Sequence, residues 1–332
     1  MRKLFISILT CMAGVLSANA IEDNTVEIIY NGNTATVNIA SNIMQYVSVS
    51  SGTSSHVVII QDASFEGVDK TTDNEDGEII YNLSGSSTDG EFYLEGSYKC
   101  TVELNGVDLT NPSGPAVNIQ NGKRIAVSVK KDKTSTLTDG ANENYNGALH
   151  IKGHTKFKGK GTLNVVGNSR HAIYSKEYIE VKNCNINVTA AVKDGIHCKE
   201  YFFMESGNVK IGNTGDDGIQ VELDGNTSTG QMPSHEDEDS GNFYMTGGTL
   251  SMAHYGGSAI KADGTINFNG GTQDFDKDDT QQYAGIENVQ SAQRQLLNGI
   301  YDLQGRRLSA VPQHRCIYII IENGIAKKII RK

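Results

Sequence analysis

The sequence contains no tryptophan and only four prolines, and it has no apolar heptads of the kind that form helices. Their absence disfavours helical bundles and coiled coils. The chain has instead 36 glycines and short Val/Ile alternations bounded by Gly, Asn and Asp corners. Alternating apolar and polar residues between turn residues predict β-strands.

Long apolar runs are also missing beyond the first 20 residues. Arg2 and Lys3 precede an apolar run that ends at the small-x-small site Ala18-Asn-Ala20, which is the pattern of a secretory signal peptide. We therefore expect residues 1–20 to be removed and the mature chain to have no membrane span. Its expected location is secreted or at the cell surface.

Basic residues are outnumbered, with 29 Lys and Arg against 39 Asp and Glu. The net charge of −10 argues against nucleic acid or anionic lipid as a partner, because the overall field of the protein repels both. An acidic ligand would need a bridging cation.

Four cysteines lie beyond the signal peptide, and none belongs to a C-x-x-C pair: Cys100, Cys184, Cys198 and Cys316. Their spacing disfavours a zinc site or a redox motif. An exported protein can form disulfides, but the sequence does not pair these residues. Buried thiols are the simpler expectation.

Two columns of residues recur along the chain at a constant interval. The first joins a small residue to an apolar one, at Ala116-Val117, Ala148-Leu149, Ala172-Ile173, Gly195-Ile196, Gly218-Ile219 and Ala259-Ile260. The second is Leu163, Ile186, Val209, Leu250 and Gln273. Both contain steps of 23 residues and one step of 41, which is 23 plus an insertion of 18. Gly207, Gly248 and Gly271 mark a recurring turn that needs a positive φ or a close backbone approach.

Three short strands per period predict one coil of a parallel β-helix. A single coil cannot bury its apolar face, whereas stacked coils pair their strands about 4.8 Å apart and bury a continuous core. We predict an all-β, right-handed parallel β-helix with coils of about 23 residues and a small C-terminal β tail, and we expect a monomer. A β-sandwich is the alternative, although it requires no constant period.

The pattern divides the chain into five parts. They are a signal peptide (1–20), N-terminal β coils or cap (21–90), a parallel β-helix domain (91–278), a linker (279–298) and a C-terminal β tail (299–332). The insertion, from Glu222 to Gly241, is polar and acidic, so we expect a mobile loop. Asn323-Gly324 predicts a hairpin turn in the tail.

Several segments resemble, in order, a family of secreted bacterial carbohydrate-binding β-helix proteins. They are TVELNGVDLTNPSGPAVNI, TLTDG, GKGTLNVVG and KDGIHCKE, between roughly Tyr93 and Phe275. The resemblance implies a calcium-binding, pectate-lyase-like stack that holds plant polysaccharides such as polygalacturonate without cleaving them. Arg170-His171-Ala172 and Gly257-Ser258-Ala259 depart from the Asp-Gly that the family repeats at these corners. The tail resembles the C-terminal sorting tails of Bacteroidetes exports, which implies a secreted or surface fate.

Carboxylates at the corners of successive coils suggest a metal site. His171, Asp194 and Asp217 precede the small residue of three successive coils, and a second carboxylate, Asp216, stands beside the last. Carboxylates one coil apart are close enough to share Ca²⁺, which takes roughly six to eight oxygen ligands. We predict that Asp194, Asp216 and Asp217 bind calcium, with Asp263 as a further ligand. The alternative is that Asp-Gly is only favourable turn chemistry.

The outward column of the same strands is a candidate glycan surface. It contains His150, Tyr174, His197, Gln220 and Lys261, beside a basic column of Lys152, Lys176 and Lys199. We predict glycan contacts from four of these residues, namely Tyr174, His197, Lys176 and Lys199. Without tryptophan, the usual platform for neutral sugars is missing, which leaves tyrosine, charge and cation bridging. The alternative is a solvated face with no ligand.

The sequence therefore predicts an exported, non-catalytic protein that binds an acidic or plant-derived polysaccharide through calcium. A pectin-cleaving hydrolase or lyase is one alternative, because NTGDDG resembles the paired Asp of polygalacturonases, and two carboxylates serve glycoside hydrolysis. The Gly-His-Gly and Arg-x-Lys of those enzymes do not follow, and Arg170 or Lys193 alone is a weak indication of a lyase base. A surface adhesin that uses the stack as a spacer is the other alternative.

Overall fold

Two compact units make up the structure, a computed structural model: Met1–Ala284 and Gly285–Lys332. It describes residues 21–68, 77–223, 239–276, 280–282, 299–301, 307–308, 310–312, 316–322 and 325–331. The predicted signal peptide, the middle of the predicted insertion and most of the predicted linker lie outside the described residues.

The first unit opens with five strands. They are β1 (Thr25–Asn31), β2 (Thr34–Ile39), β3 (Val47–Val49), β4 (His56–Gln61) and β5 (Ile79–Ser87), with a 3₁₀ turn at Met44–Tyr46. β1 pairs antiparallel with β2 and parallel with β5, and β3 pairs antiparallel with β4. These antiparallel pairs lie at the N-terminal end of the sheets, where the first units of a stack commonly differ from the repeating ones.

From Glu91 onward each coil contributes three strands. Coil by coil they are β6 (Glu91–Glu95), β7 (Cys100–Leu104), β8 (Asp108–Asn111); β9 (Val117–Gln120), β10 (Ile125–Val129), β11 (Thr134–Asp139); β12 (Gly147–Ile151), β13 (Thr155–Gly159), β14 (Thr162–Gly167); β15 (His171–Ser175), β16 (Ile179–Val181), β17 (Cys184–Ala191); β18 (Ile196–Lys199), β19 (Tyr201–Met204), β20 (Gly207–Thr214); β21 (Ile219–Glu222), β22 (Asn242–Met245), β23 (Thr249–Tyr255); β24 (Ile260–Ala262), β25 (Ile266–Phe268), β26 (Thr272–Phe275); and finally β27 (Thr280–Gln282).

Every strand from β6 to β24 pairs in parallel with the strand three places further on, which produces three walls. The first wall is β7, β10, β13, β16, β19, β22 and β25. The second is β8, β11, β14, β17, β20, β23 and β26. The third is β4, β6, β9, β12, β15, β18, β21, β24 and β27. The predicted all-β class is confirmed, and the stacked sheets are parallel.

The register between coils is the one that the two sequence columns predict. In the second wall, Leu163 lies beside Ile186, and Ile186 lies beside Val209. The column continues to Leu250 and Gln273. The other column pairs in the same way on the third wall. Residues 23 positions apart are therefore vertical neighbours.

One apolar core runs through the stack because side chains alternate between the two faces of each strand. In β17, Ile186 and Val188 point inward and are buried, whereas Asn185 and Asn187 are only half-buried. The cysteines expected to be thiols follow this pattern. Cys100, Cys184 and Cys198 are buried and free.

The recurring glycine turn has the predicted backbone conformation. Gly207, Gly248 and Gly271 have φ of 99°, 83° and 80°. A Cβ on Gly207 would lie 2.3 Å from the carbonyl oxygen of Cys184 in the preceding coil. Only glycine meets both demands, because L residues with a side chain rarely adopt this φ and here would also clash.

The second unit contains β28 (Gly299–Tyr301), β29 (Arg307–Leu308), β30 (Cys316–Glu322) and β31 (Ile325–Arg331). All three pairings among these strands are antiparallel. Glu322 pairs with Ile325, so β30 and β31 form a hairpin around the predicted turn, whose two residues lie outside the described part. No helix in the described part of the chain has the length and hydropathy needed to span a bilayer.

Replacing Ile186 by Ala tests the stacked register. Ile186 is 0% exposed, so the substitution leaves a cavity between two coils. We expect the free energy of unfolding to fall by about 2–5 kcal/mol, measured by chemical denaturation. Val192→Ala is the control, because Val192 is 55% exposed and its loss should change that free energy by less than about 0.5 kcal/mol. Equal effects of the two variants would contradict the register.

Candidate functional site

The corner that leads into the third wall carries a vertical column of polar residues. The N–H of Gly195 donates to the carbonyl of Asp217 (3.0 Å), and the N–H of Gly218 donates to the carbonyl of Ser258 (2.8 Å). These bonds hold the residues before the small corner position one above another, as the sequence predicts. The column reads His171, Asp194, Asp217 and Ser258.

Asp194 is the centre of this corner and is only 1% exposed. Its Oδ2 lies 2.9 Å from Nδ1 of His197 and 3.1 Å from Nδ1 of His171. Its Oδ1 accepts a hydrogen bond from the backbone N–H of Asp217 (3.1 Å). Both oxygens of this buried carboxylate therefore have partners, which offsets the cost of removing its charge from water.

The two histidines respond differently to the shared carboxylate. Burial and the neighbouring His197 lower the pKa of His171, despite the opposing effect of Asp194. Burial also lowers the pKa of His197, but hydrogen bonds to Asp194 and Glu222 outweigh it, so the net shift is upward. Burial acts to raise the pKa of Asp194, yet the two histidines outweigh that effect and hold it well below its usual range. The corner thus contains an ionised Asp194 beside a histidine that favours its cationic form.

Asp216 and Asp217 complete a group of carboxylates at this corner. One oxygen from each of Asp194, Asp216 and Asp217 lies within 4.8 Å of the others. Oδ1 of Asp217 accepts from the N–H of Ser258 (2.7 Å). Its Oδ2 is buried and accepts no hydrogen bond within the described residues, although Nζ of Lys261 lies 3.6 Å away. The structure therefore brings together three of the four predicted metal ligands.

Like charge and burial make Asp217 unusual. Desolvation, followed by the charges of Asp194 and Asp216, raises its pKa, while the N–H of Ser258 and the cation of Lys261 act in the opposite direction. The pKa of this carboxyl group is therefore raised even though Lys261 lies 3.6 Å from its Oδ2, and a further cation beside Asp216 and Asp217 would offset the desolvation and the repulsion.

Asp263, the fourth predicted ligand, has a different role in the structure. Its Oδ2 accepts a hydrogen bond from the backbone N–H of Leu223 (3.0 Å). Asp263 directly follows β24, in the column of Lys199 and Glu222. It does not belong to the carboxylate group at the corner, because Asp194, Asp216 and Asp217 lie before third-wall strands and Asp263 lies after one.

The predicted glycan column is stacked but more buried than expected. His150, Tyr174 and His197 are neighbours on adjacent coils, with ring centroids 5.1 Å and 5.5 Å apart. Tyr174 is 9% exposed and His197 is 6% exposed, so they offer ring edges and not open faces to a ligand. Lys176 is exposed, and Nζ of Lys199 lies 3.9 Å from Glu222. Lys176 is thus the most accessible part of this surface, and Lys199 is half-buried.

A second cluster of titratable groups was missed by the sequence reasoning. His154, Glu177 and Glu200 lie at successive steps of 23 residues and converge at the corner between the third and first walls. Nε2 of His154 lies 3.6 Å from Oε2 of Glu200, which also accepts from the N–H of Tyr178 (3.0 Å). The period itself is the signal that would have found this cluster.

Burial and the neighbouring Glu200 give Glu177 an unusually high pKa for a carboxyl group. Burial, a hydrogen bond to Glu200 and the charge of Glu200 raise the pKa of Glu177 to about 7. Because the folded-state pKa is above the unfolded one, the folded protein binds more protons than the unfolded chain between these two values. The titration of Glu177 therefore lowers the free energy of unfolding of the protein as the pH rises from about 4.5 to about 7.

Glu177→Gln should consequently stabilise the protein at pH 8 and have almost no effect at pH 5. Glutamine keeps a hydrogen-bonding partner for Glu200 but removes the repulsion, and we expect the Tm at pH 8 to rise by on the order of 1 °C. Calorimetry at both pH values measures this, with Glu205→Gln as the control, because Glu205 is exposed and pairs with Lys182. An equal change of Tm at pH 5 and at pH 8 would contradict the raised pKa of Glu177.

Comparisons with known proteins bear on this geometry. The family model for carbohydrate-binding domain-containing proteins matches residues 69–301, which is more than two thirds of the chain. The chain is also similar to a solved polysaccharide lyase-like protein from C. thermocellum, a gadolinium derivative, with 19% identity and a TM-score of 0.55. That match covers 79% of this chain and 98% of the other, and it shows a shared fold. Among curated proteins, none matches the chain. The protein belongs to the family of carbohydrate-binding domain-containing proteins.

Proposed function

We propose that this protein binds an acidic, plant-derived polysaccharide of the polygalacturonate type through calcium and does not cleave it. One observation carries the proposal. Asp194, Asp216 and Asp217 converge at one corner, and a buried oxygen of Asp217 accepts no hydrogen bond within the described residues.

The residues at this corner fit a hard divalent cation. Asp216 is exposed, and Oδ2 of Asp217 lies 3.6 Å from Nζ of Lys261 but accepts no hydrogen bond within the described residues, so these two supply the direct ligands. Asp194 lies behind them and adds negative charge, because its own oxygens already face two histidines and an amide. Carboxylate oxygens are the ligands that Ca²⁺ prefers. When bound, the cation supplies a positive bridge to the carboxylates of a uronic acid chain.

The charge of the protein supports this role for a cation. A chain with a net charge of −10 repels a polyanion such as polygalacturonate. Lys176 follows β15 and Lys199 ends β18, the adjacent strand of the third wall, and both can pair with further uronate groups. Tyr174 and His197 contribute ring edges between the lysines and the corner.

A polysaccharide lyase is the second candidate, favoured by the name of the similar protein from C. thermocellum. A lyase needs a base beside the cation, and Arg170 and Lys193 flank the corner. Lys193 is exposed, and Nε of Arg170 is buried without a hydrogen bond among the described residues. We favour binding without turnover because the chain belongs to a binding-domain family.

Three further proposals accompany this function. The stack is a right-handed parallel β-helix, because parallel crossover connections are right-handed in nearly all cases. The chain is exported by its N-terminal signal and reaches the cell surface or the medium, as its sequence pattern indicates. It acts as a monomer, because one stack contains the whole corner.

Removing the carboxylates should weaken calcium binding. We expect Asp216→Asn/Asp217→Asn to lose at least about tenfold in calcium affinity, since two charges close to the cation are removed. Calorimetric titration of the mature protein measures this. Asp108→Asn, an exposed carboxylate on the second wall, is the control and should bind calcium like the original protein. Unchanged calcium affinity in the double variant would discard the site.

The same carboxylates should cost stability when no cation is present. In EDTA, Asp217→Asn should be at least as stable as the original protein at pH 7, because the raised pKa of Asp217 reflects repulsion and burial. Adding calcium should then raise the Tm of the original protein more than that of the variant. A variant that unfolds in EDTA far below the original protein would contradict this account of the corner.

Polygalacturonate incubated with the protein and calcium should release neither unsaturated nor new reducing ends. Sedimentation of the protein with the insoluble polymer should nevertheless depend on calcium. A characterised pectate lyase serves as the positive control. Unsaturated products that appear with the original protein and vanish with Asp217→Asn would replace the binding proposal with the lyase.

A further inference from the structure

A groove of about 290 Å³ lies on the outer face of the second wall. It is lined mainly by amides and other uncharged groups, together with one cation: Asn164, Asn187, Thr189, Lys210, Gly212 and Asn213. None of these residues belongs to the carboxylate corner. The volume is at the small end of the range for ligand pockets, which is roughly 300–1,000 Å³, and suits a single sugar ring.

A β-bulge shapes this groove. Val165 pairs with Val188 but Val166 pairs with Ala190, so Thr189 is an extra residue that protrudes from β17. In the next coil Asn213 has a positive φ of 53°, and its Nδ2 donates to the carbonyl of Thr189 (3.1 Å). Bulges re-aim side chains and are frequent beside functional sites.

The polar groups of the groove are only partly used inside the protein. Nδ2 of Asn187 donates to Oδ1 of Asn164 (3.0 Å), which fixes the two amides against each other. No hydrogen bond within the described residues engages Oδ1 of Asn187 or Nδ2 of Asn164. Lys210 is exposed and has no ion pair with any described residue. Fixed donors and acceptors therefore face the groove.

The chemistry of these groups matches the hydroxyls of a sugar. An amide offers an acceptor and two donors, and a sugar hydroxyl both donates and accepts, so neighbouring amides can bind neighbouring hydroxyls. The groove has no carboxylate in its lining, so it lacks the charged ligands of a typical calcium site and places no negative side chain against an acidic sugar. Asn213 is three residues before Asp216, which limits their separation along the chain to roughly 10 Å.

We infer that this groove is a second, calcium-independent sugar subsite that binds one pyranose ring of an oligosaccharide through its hydroxyls. It extends the proposed function without requiring the cation. Lys210 adds a pairing partner where the ring carries a carboxylate. One oligosaccharide is long enough to occupy the groove and the carboxylate corner together.

Gly212 allows the groove to be blocked with little disturbance of the backbone. A Cβ built on Gly212 has only the carbonyl oxygen of Ala253 nearby, at 3.7 Å, and its φ is not in the left-handed region. Gly212→Phe should therefore fold and fill the groove. Gly122→Phe is a matched control, because a Cβ on that exposed glycine meets nothing within 4 Å.

The test is an NMR titration of ¹⁵N-labelled protein in EDTA with cellotriose and, separately, trigalacturonate. We expect saturable shifts of the side-chain amides of Asn187 and Asn213 with at least one sugar. Gly212→Phe should weaken binding by at least about tenfold, and Gly122→Phe should leave it within about twofold. A response to trigalacturonate alone identifies Lys210 as a pairing partner, and a response to cellotriose identifies hydroxyl recognition without charge.

Asn187→Ala is a second test of the subsite in case Gly212→Phe folds poorly. It should weaken sugar binding about fivefold through the loss of one or two hydrogen bonds. Absence of amide shifts with both sugars, or undiminished binding in both groove variants, overturns the subsite. Asp217→Asn separates the two proposals, because it should lose the calcium response and keep the amide shifts in EDTA.

Discussion

In-register parallel pairing between coils is the constraint on which the rest of the structure depends. Each coil gives and receives backbone hydrogen bonds along three walls, so the spacing between equivalent residues is set by the roughly 4.8 Å separation of strands. A side chain at one position therefore lies directly over the side chain 23 residues earlier, as Ile186 and Val209 do. Apolar columns become a core under this rule, and polar columns become surfaces and sites.

The same rule brings charges closer than an ordinary surface would allow. Opposite charges occupy many vertical or diagonal steps, such as Lys182 above Glu205 (2.8 Å) and Lys156 beside Glu180 (3.3 Å). Such exposed pairs contribute little stability individually. Their value in a stack is that they avoid the repulsion that a repeated like charge would cause at every coil.

The columns could be predicted because the spacing of the residues and their polarity can be read directly from the sequence. Asp194, Asp216 and Asp217 were found in this way, since a turn of fixed length places equivalent corners together. Burial could not be predicted in the same way. Tyr174 stands at an outward position in the alternation of β15, yet neighbouring coils cover its ring. Only the structure shows how little of the side chain remains exposed.

The partners of Asp194 illustrate a second limit. The sequence places His171 in the column of Asp194, and it also shows His197 three residues further on. It does not show that both imidazoles turn toward the same oxygen, because that depends on side-chain rotamers and on the local path of β18. The groove was hidden for a related reason, because the extra residue of its bulge, Thr189, has no signature in the repeat.

Two columns in the described part of the chain place carboxylates one above another, and in both the repulsion favours a proton or a cation. In the first, burial, a hydrogen bond to Glu200 and the charge of Glu200 raise the pKa of Glu177 to about 7, so that Glu177 retains its proton more readily. Asp194 and Asp217 have histidine and lysine nearby, yet Asp217 still has a buried oxygen without a hydrogen bond among the described residues.

A proton satisfies the Glu177 and Glu200 pair because the two carboxyl groups share a hydrogen bond. The second group also includes Asp216, and a single proton cannot serve three carboxylates, whereas a divalent cation with several oxygen ligands can. The carboxylate corner, and not the Glu177 cluster, is therefore the stronger candidate for the proposed cation site.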